Sequence, residues 1–264
     1  MVLMETMRPS RKEANAGIEA LRVNPYSGRG IVMGLDQRGD TAIQIYWITG
    51  RSPDSQNRVI APEGDHFKTA PADEAKNVGD ANLTLYNVTA QVENFHIVSN
   101  GKQTDAIADA IKKEASFEEE LRTNWNFEDD SNSTPRISGI VELKDEPDFI
   151  FSIIKRGEDG ESSHSVFYRG KDISPGIGLC IHTYATDGKP TPSFEGAPYP
   201  ILLQGGLREL GKTYWDLLGP ARESGGPDIR VSMLIKTIDI KTGAVGYRIE
   251  NRFGQSTSST LFKA

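Results

Sequence analysis

Ten short apolar runs, most of them five to nine residues long and separated by turn clusters, constrain this chain more than any other feature. They are Ile31 to Leu35, Ala42 to Ile48, Asn82 to Val88, Asn94 to Val98, Ile137 to Leu143, Phe149 to Ile154, Ser165 to Tyr168, Leu179 to Tyr184, Ile229 to Ile238 and Val245 to Glu250. Val, Ile, Tyr and Phe dominate them, which is the composition of strands. Three of the connections, Arg38-Gly39-Asp40, Glu158-Asp159-Gly160 and Lys241-Thr242-Gly243, have hairpin chemistry, so the strands they join should pair antiparallel. Helical patterns are fewer: a short amphipathic stretch from Ala14 to Leu21 ended by Asn24-Pro25, Asp105 to about Arg122 with a break near Ala115-Ser116, and Leu207 to Leu218. Strands in clusters with few helices point to an α+β fold and away from a βαβ repeat.

With 264 residues the chain can bury a substantial core, and it reads as one domain, residues 26–264, behind an N-terminal extension, residues 1–25. No stretch approaches the roughly 20 apolar residues of a membrane span. Met1 to Lys12 mixes Glu5, Arg8, Arg11 and Lys12 with no apolar centre, which is not a secretory pattern, and the single Cys180 cannot form an internal disulfide. A cytoplasmic protein with no membrane partner is the expectation. The formal net charge of -7 argues against broad nucleic-acid binding, which needs a basic surface. It leaves room for a small phosphorylated ligand, because a few convergent arginines suffice to hold one phosphate.

The run from Ile97 to Asp109 ends an apolar strand in Asn100-Gly101 and passes directly into a helical pattern. Asn-Gly is a strong turn signal, Thr104 or Asp105 can cap the helix, and Ile107 with Ile111 forms its buried stripe. Such a turn is either a well-capped connection or the mouth of a pocket. Gly28-Arg29-Gly30-Ile31-Val32-Met33-Gly34 is a poor dinucleotide fingerprint, since the spacing is off by one and a strand follows where a helix must open. His66, His96, His164 and His182 show no metal-ligand spacing, so no structural metal is expected. Cys180 and His182 share a strand face, which leaves open a Cys/His nucleophilic pair against a buried thiol beside an imidazole. The Gly/Pro-rich stretch from Asp187 to Pro200 is a lid or a surface loop.

Five further segments accompany that turn. Tyr26-Ser27-Gly28-Arg29-Gly30-Ile31 and Ile45-Tyr46-Trp47-Ile48-Thr49-Gly50-Arg51-Ser52 precede Asn57-Arg58 and Tyr86-Asn87, and Glu128 stands ahead of Thr134-Pro135-Arg136-Ile137. In this order they resemble the archaeal-type IMP cyclohydrolases, which close the second purine ring in inosine monophosphate synthesis. The similarity covers residues 26 to about 142, and beyond it only Thr183-Tyr184 resembles a later strand of the family. The resemblance implies an Ntn-hydrolase-like four-layer αββα sandwich with mainly antiparallel sheets, a purine ribonucleotide as ligand and a homo-oligomer. This chain departs from the pattern in its N-terminal extension, in Lys102-Gln103 within the turn and in an enlarged second half.

By the same resemblance the family's catalytic arginine, tyrosine and glutamate fall on Arg58, Tyr86 and Glu128. Arg29, Arg51, Ser52, Asn57, Asn87, Asn100, Lys102, Thr104, Asp105 and Arg136 are the candidates for cradling ribose and phosphate, with Asp105 suited to ribose hydroxyls and Arg51 or Arg136 to phosphate. In the implied reaction an amide nitrogen of a formamido-imidazole carboxamide ribotide attacks the neighbouring formyl carbon and water leaves. A base, a charge-stabilising donor and an acid lower that barrier, and both reacting groups sit on one molecule, so the implied reaction requires neither cofactor nor metal. Two other readings remain: a nucleotide-binding regulator that keeps the pocket without turnover, and an Ntn-type amidohydrolase using Ser27 or Cys180.

Overall fold

A computed structural model of the chain describes residues 9–220, 226–254 and 256–261. Residues 1–8, part of the stretch read above for a secretory pattern, lie outside them. The elements run α1 (Arg11–Val23), β1 (Arg29–Leu35), β2 (Thr41–Thr49), α2 (Pro53–Gln56), β3 (Arg58–Glu63), β4 (His66–Pro71), α3 (Ala81–Thr84), β5 (Thr89–Val92) and β6 (Phe95–Ser99). They continue α4 (Gln103–Lys112), α5 (Phe117–Asn124), β7 (Arg136–Glu142), β8 (Asp148–Arg156), β9 (Ser163–Gly170), β10 (Ile177–His182), β11 (Tyr199–Leu202), α6 (Leu207–Leu217), β12 (Arg230–Asp239), β13 (Val245–Asn251) and β14 (Thr257–Leu261). A seven-stranded sheet has the order β11-β10-β1-β2-β12-β13-β14, a five-stranded sheet runs β5 to β9 in sequence order, and β3-β4 form a separate ribbon. Every pairing among these strands is antiparallel. The fold is α+β with antiparallel sheets, as the strand runs and hairpin turns imply.

Alternation along the strands sorts the core into three clusters. Ile31, Met33, Tyr46, Ile48 and Leu234 of the larger sheet pack against Val98, Ile137, Val141 and Phe151 of the smaller one. The opposite face of the larger sheet, with Val32, Ile45, Trp47 and Met233, meets Leu21 of α1 and Leu210, Tyr214 and Leu217 of α6. The far face of the smaller sheet, with Ile97, Ile140 and Ile154, meets Ile107 of α4 and Phe117 and Leu121 of α5. The period-2 pattern therefore sends adjacent residues of one strand to different clusters.

Three differences from the sequence reading have local causes. Asn82 to Val88 is not a strand: Asp80 caps α3 by accepting from the Asn82 amide at 2.8 Å, and only Asn87 bridges, to Lys68. The ribbon β3-β4 escaped notice because its buried positions are sparse, Arg58 and Ile60 on one strand and Phe67 and Thr69 on the other, among Pro62, Pro71 and charged residues. Neither Thr104 nor Asp105 caps α4, whose N-cap is Lys102 with no side-chain cap bond; the Thr104 hydroxyl instead donates to the Gly101 carbonyl at 3.0 Å. The break expected near Ala115-Ser116 does separate α4 from α5, where Ser116 caps the second helix at the Glu119 amide.

Between the sheets lies a buried lysine. Lys236 of β12 is 1% exposed, and its Nζ sits 3.0 Å from His96 Nδ1 on β6, beside Gln44 of β2, whose amide donates to the His96 carbonyl. Burial lowers the Lys236 amine from 10.5 to about 7. Between those values the unfolded chain holds a proton that the folded chain lacks, so stability rises with pH across that window. Lys236→Met is expected to raise Tm by several degrees at pH 7 and to flatten the rise between pH 7 and 10. Thermal unfolding scans of both proteins over that range check it, and parallel Tm curves would contradict it.

Candidate active site

One end of the space between the sheets is polar, and chain segments far apart in sequence meet there. Arg29 opens β1 opposite Ile48, so its side chain enters on the same face as Ile31 and Met33. Gly28 before it has φ +71, and a Cβ there would lie 2.1 Å from Thr183 Oγ1, so only glycine fits this turn. Tyr46 follows on β2, Arg58 opens β3, Tyr86 lies between α3 and β5, Glu128 in the α5–β7 connection, Arg136 at the start of β7, and Tyr184 just past β10.

Glu128 is 1% exposed and accepts from Arg29 Nη2 at 2.6 Å through Oε2. Its other oxygen, Oε1, has no hydrogen-bond partner and stands 3.8 Å from Arg136 Nη1. Burial pushes the carboxyl above the ordinary glutamate range, against the pull of Arg29 and Arg136. Local sequence builds the turn that presents it: Asp130 accepts from the amides of Asn132 and Thr134 and from the Thr134 hydroxyl, and the Glu128 amide donates to the Thr134 carbonyl. The Thr134 hydroxyl also meets the Tyr184 hydroxyl, and burial raises that phenol to about 12.

Arg58 is 3% exposed, and its Nε donates to the Ser55 carbonyl at 2.9 Å. No carboxylate pairs with it among the described residues. The groups that influence its charge are Tyr86, Tyr46, Tyr26 and the like-charged Arg29, and burial lowers its proton affinity. The Tyr86 hydroxyl lies 2.7 Å from that of Tyr46, and both rings are buried. Arg29 bonds Glu128 and exerts its charge on Tyr86, Tyr46 and Arg58, so it is the charged neighbour these side chains share.

The other residues named from the sequence divide into those that face this cluster and those already used inside the protein. Arg136 belongs to it, stacked 5.0 Å from the Trp125 ring centroid, with Nη1 donating to Gln103 Oε1 at 3.2 Å. Arg51 lies at its margin: the guanidinium stacks 4.0 Å over Tyr26, pairs with Asp187 and donates to Thr191 Oγ1, tying down the Pro-rich segment. Tyr26 in turn stacks on Tyr184 at 5.3 Å. Asn57 is buried with its amide spent on the carbonyls of Asp73, Lys76 and Asn77, so it anchors that loop. Asn100 donates to the Pro135 carbonyl and accepts from Gln103 and the Ile137 amide, so the Asn-Gly turn secures the strand start that carries Arg136. Thr104 is likewise internal, bonded to Ser99 and Gly101. Asn87 donates to Asp105 at 2.8 Å and Lys102 to Asn82 at 2.7 Å on the exposed side of α4, while Ser52 is an exposed helix cap for α2.

Tyr46 and Tyr184 lie within the resembling segments but are not among the candidates that the sequence names. Tyr46 could have been found from strand alternation, because it is the large polar side chain on the inward face of β2 at the Arg29 end. Cys180 and His182 share a face, as expected, but burial drives the thiol up to about 12 and the imidazole down to about 4, and His182 Nδ1 bonds the Tyr184 carbonyl. Ser27 is buried, its hydroxyl accepting from Trp47 Nε1 at 3.0 Å. Both arrangements are those of packed core groups rather than activated nucleophiles. No described helix is long and apolar enough to cross a membrane.

Comparison with known proteins bears on this cluster. The chain is 31% identical over 119 residues to an IMP cyclohydrolase of Methanococcus aeolicus, a match covering 44% of this chain and 58% of that protein. It is 30% identical over 145 residues to an IMP cyclohydrolase of Methanopyrus kandleri, covering 52% of this chain and 71% of that one. The family model described as IMP cyclohydrolase-like protein matches residues 26–215, a span that contains every residue of the cluster. The chain belongs to the IMP cyclohydrolase-like protein family.

Proposed function

We propose that the protein is an IMP cyclohydrolase, closing 5-formamidoimidazole-4-carboxamide ribotide to inosine monophosphate with loss of water. Arg58 carries this reading. A guanidinium buried among tyrosines and another guanidinium, with no carboxylate partner among the described residues, is costly unless an anionic ligand or a developing oxyanion completes it. The family and its two IMP cyclohydrolase relatives supply the substrate. The layering supports an Ntn-hydrolase-like αββα arrangement, with α1 and α6 outside one sheet and α4 and α5 outside the other. A homo-oligomer working in the cytoplasm completes the proposal.

In this reaction two protons leave nitrogen and two arrive on the formyl oxygen. Glu128 takes the first from the carboxamide nitrogen through Oε1 as the C–N bond forms. A carboxylate with one unoccupied lone-pair face and a raised proton affinity is suited to that transfer. Arg58 steadies the negative charge on the formyl oxygen, and Tyr86 protonates it to a hydroxyl. Glu128 then returns its proton to the departing hydroxyl as water leaves, and the formamido nitrogen gives its own proton to the Tyr86 phenolate. Both side chains end as they began. Arg29 holds Glu128, while Arg136 and Arg51 stand where a phosphate or ribose could be met.

The test is inosine monophosphate formation by the purified protein from the formylated ribotide, followed by absorbance. Turnover supports the proposal. Nucleotide binding without turnover would make the protein a regulator that keeps the pocket, and would overturn it.

A further inference from the structure

Tyr46 stands next to the proposed acid without a role in the scheme above. Its ring is 1% exposed, on the inward face of β2, and its hydroxyl lies 2.7 Å from that of Tyr86. Two hydroxyls at that distance share one hydrogen bond, in which one is donor and the other acceptor. The orientation follows from the proposed chemistry. Once Tyr86 has given up its proton its oxygen can only accept, so the Tyr46 hydroxyl 2.7 Å away is then the donor. The same orientation in the resting state, with Tyr46 donating, leaves the Tyr86 proton free to point away from Tyr46. Arg29 and Arg58 both exert their charge on this pair.

Resting on the proposed ring closure, we infer that Tyr46 is a positioning residue: its hydroxyl orients the Tyr86 proton toward the formyl oxygen and then holds the Tyr86 phenolate until the formamido nitrogen reprotonates it. No proton passes from Tyr46 itself. Its hydrogen bond strengthens as charge appears on Tyr86, because a bond to an ionised acceptor is worth about twice a neutral one. That differential favours the step over the resting state, which is the condition for a rate effect.

The experiment compares wild type, Tyr46→Phe, Tyr86→Phe and the double variant in steady-state turnover of the formylated ribotide. The expected result for Tyr46→Phe is a kcat lower by about 10- to 100-fold, the range of a hydrogen bond to a charged group, with KM within about twofold. In the Tyr86→Phe background the same change is expected to cost nothing further, because Tyr46 acts through the Tyr86 oxygen. A merely structural role would lower both backgrounds alike, and that additive result overturns the inference. So does a Tyr46→Phe protein as fast as wild type. If Tyr46→Phe lowers Tm by more than a few degrees, 3-fluorotyrosine at position 46 replaces it: a changed rate in wild type and none in Tyr86→Phe supports the inference, and equal changes in both overturn it. A wild-type protein without turnover fails the proposed function itself, and this inference with it, which separates the two failures.

Discussion

Glu128→Gln is expected to lower kcat by about 10²- to 10⁴-fold, the range of a general acid–base group, while inosine monophosphate binds within a few-fold of wild type. The amide keeps the size of the carboxyl and its acceptor for Arg29 Nη2, now held at 2.6 Å, but has no basic oxygen to take the amide proton. The effect should fall on kcat, since the lost interaction is one made in the transition state. The pH profile gives a second signature with a defined sign. Burial raises the Glu128 carboxyl, so as pH falls the base is protonated earlier than an ordinary glutamate would be. The acid limb of the wild-type rate is therefore expected above the ordinary glutamate range, and it should be missing from the residual activity of Glu128→Gln. Steady-state kinetics from pH 4 to 8 with isothermal titration of the product checks both; a variant of full activity would remove Glu128 from the reaction.

Arg58→Met is expected to separate function from stability in opposite directions. Turnover should fall by about 10²- to 10³-fold, the cost of removing a donor that faces a developing oxyanion. Stability should hold or rise. Arg58 gives up one bond to the Ser55 carbonyl, worth about 1 kcal/mol, and the fold is relieved of a buried cation that no carboxylate among the described residues neutralises. For a chain of this size each kcal/mol moves Tm by about 2–4 °C. An active variant with a Tm several degrees below wild type would show Arg58 to be structural cement. The expected opposite result marks a residue kept at a cost to the fold because the chemistry needs it.

How much of this was legible before the structure depends on where the signal lives. Short apolar runs mark strands that are buried on most of their residues, so β1, β2, β7, β8, β12 and β13 were visible. The ribbon β3-β4 was not, although Arg58 is its first residue, because a polar group at a buried position erases the alternation that reveals a strand. The Asn-Gly turn signals either a well-capped connection or a pocket mouth, and its spacing does not say which. Asn100 and Thr104 spend their polar atoms on Pro135, Ile137, Ser99 and Gly101, and the benefit passes one step on, to Arg136. Sequence spacing cannot separate a residue that touches a ligand from one that holds the residue that does. Tyr46 shows the same limit from the other side. Its neighbour across the hydrogen bond, Tyr86, is forty residues away, and only the fold brings the two hydroxyls together.

The arrangement of Arg29, Arg58, Tyr86 and Glu128 around one purine ribotide is most directly tested by a crystal structure of the protein soaked with inosine monophosphate. The expected map shows the base within hydrogen-bond reach of Arg58, Tyr86 and the Glu128 Oε1 oxygen, with the phosphate on arginine at the margin of the cluster. Nucleotide bound elsewhere on the molecule, with those side chains untouched, would contradict the account.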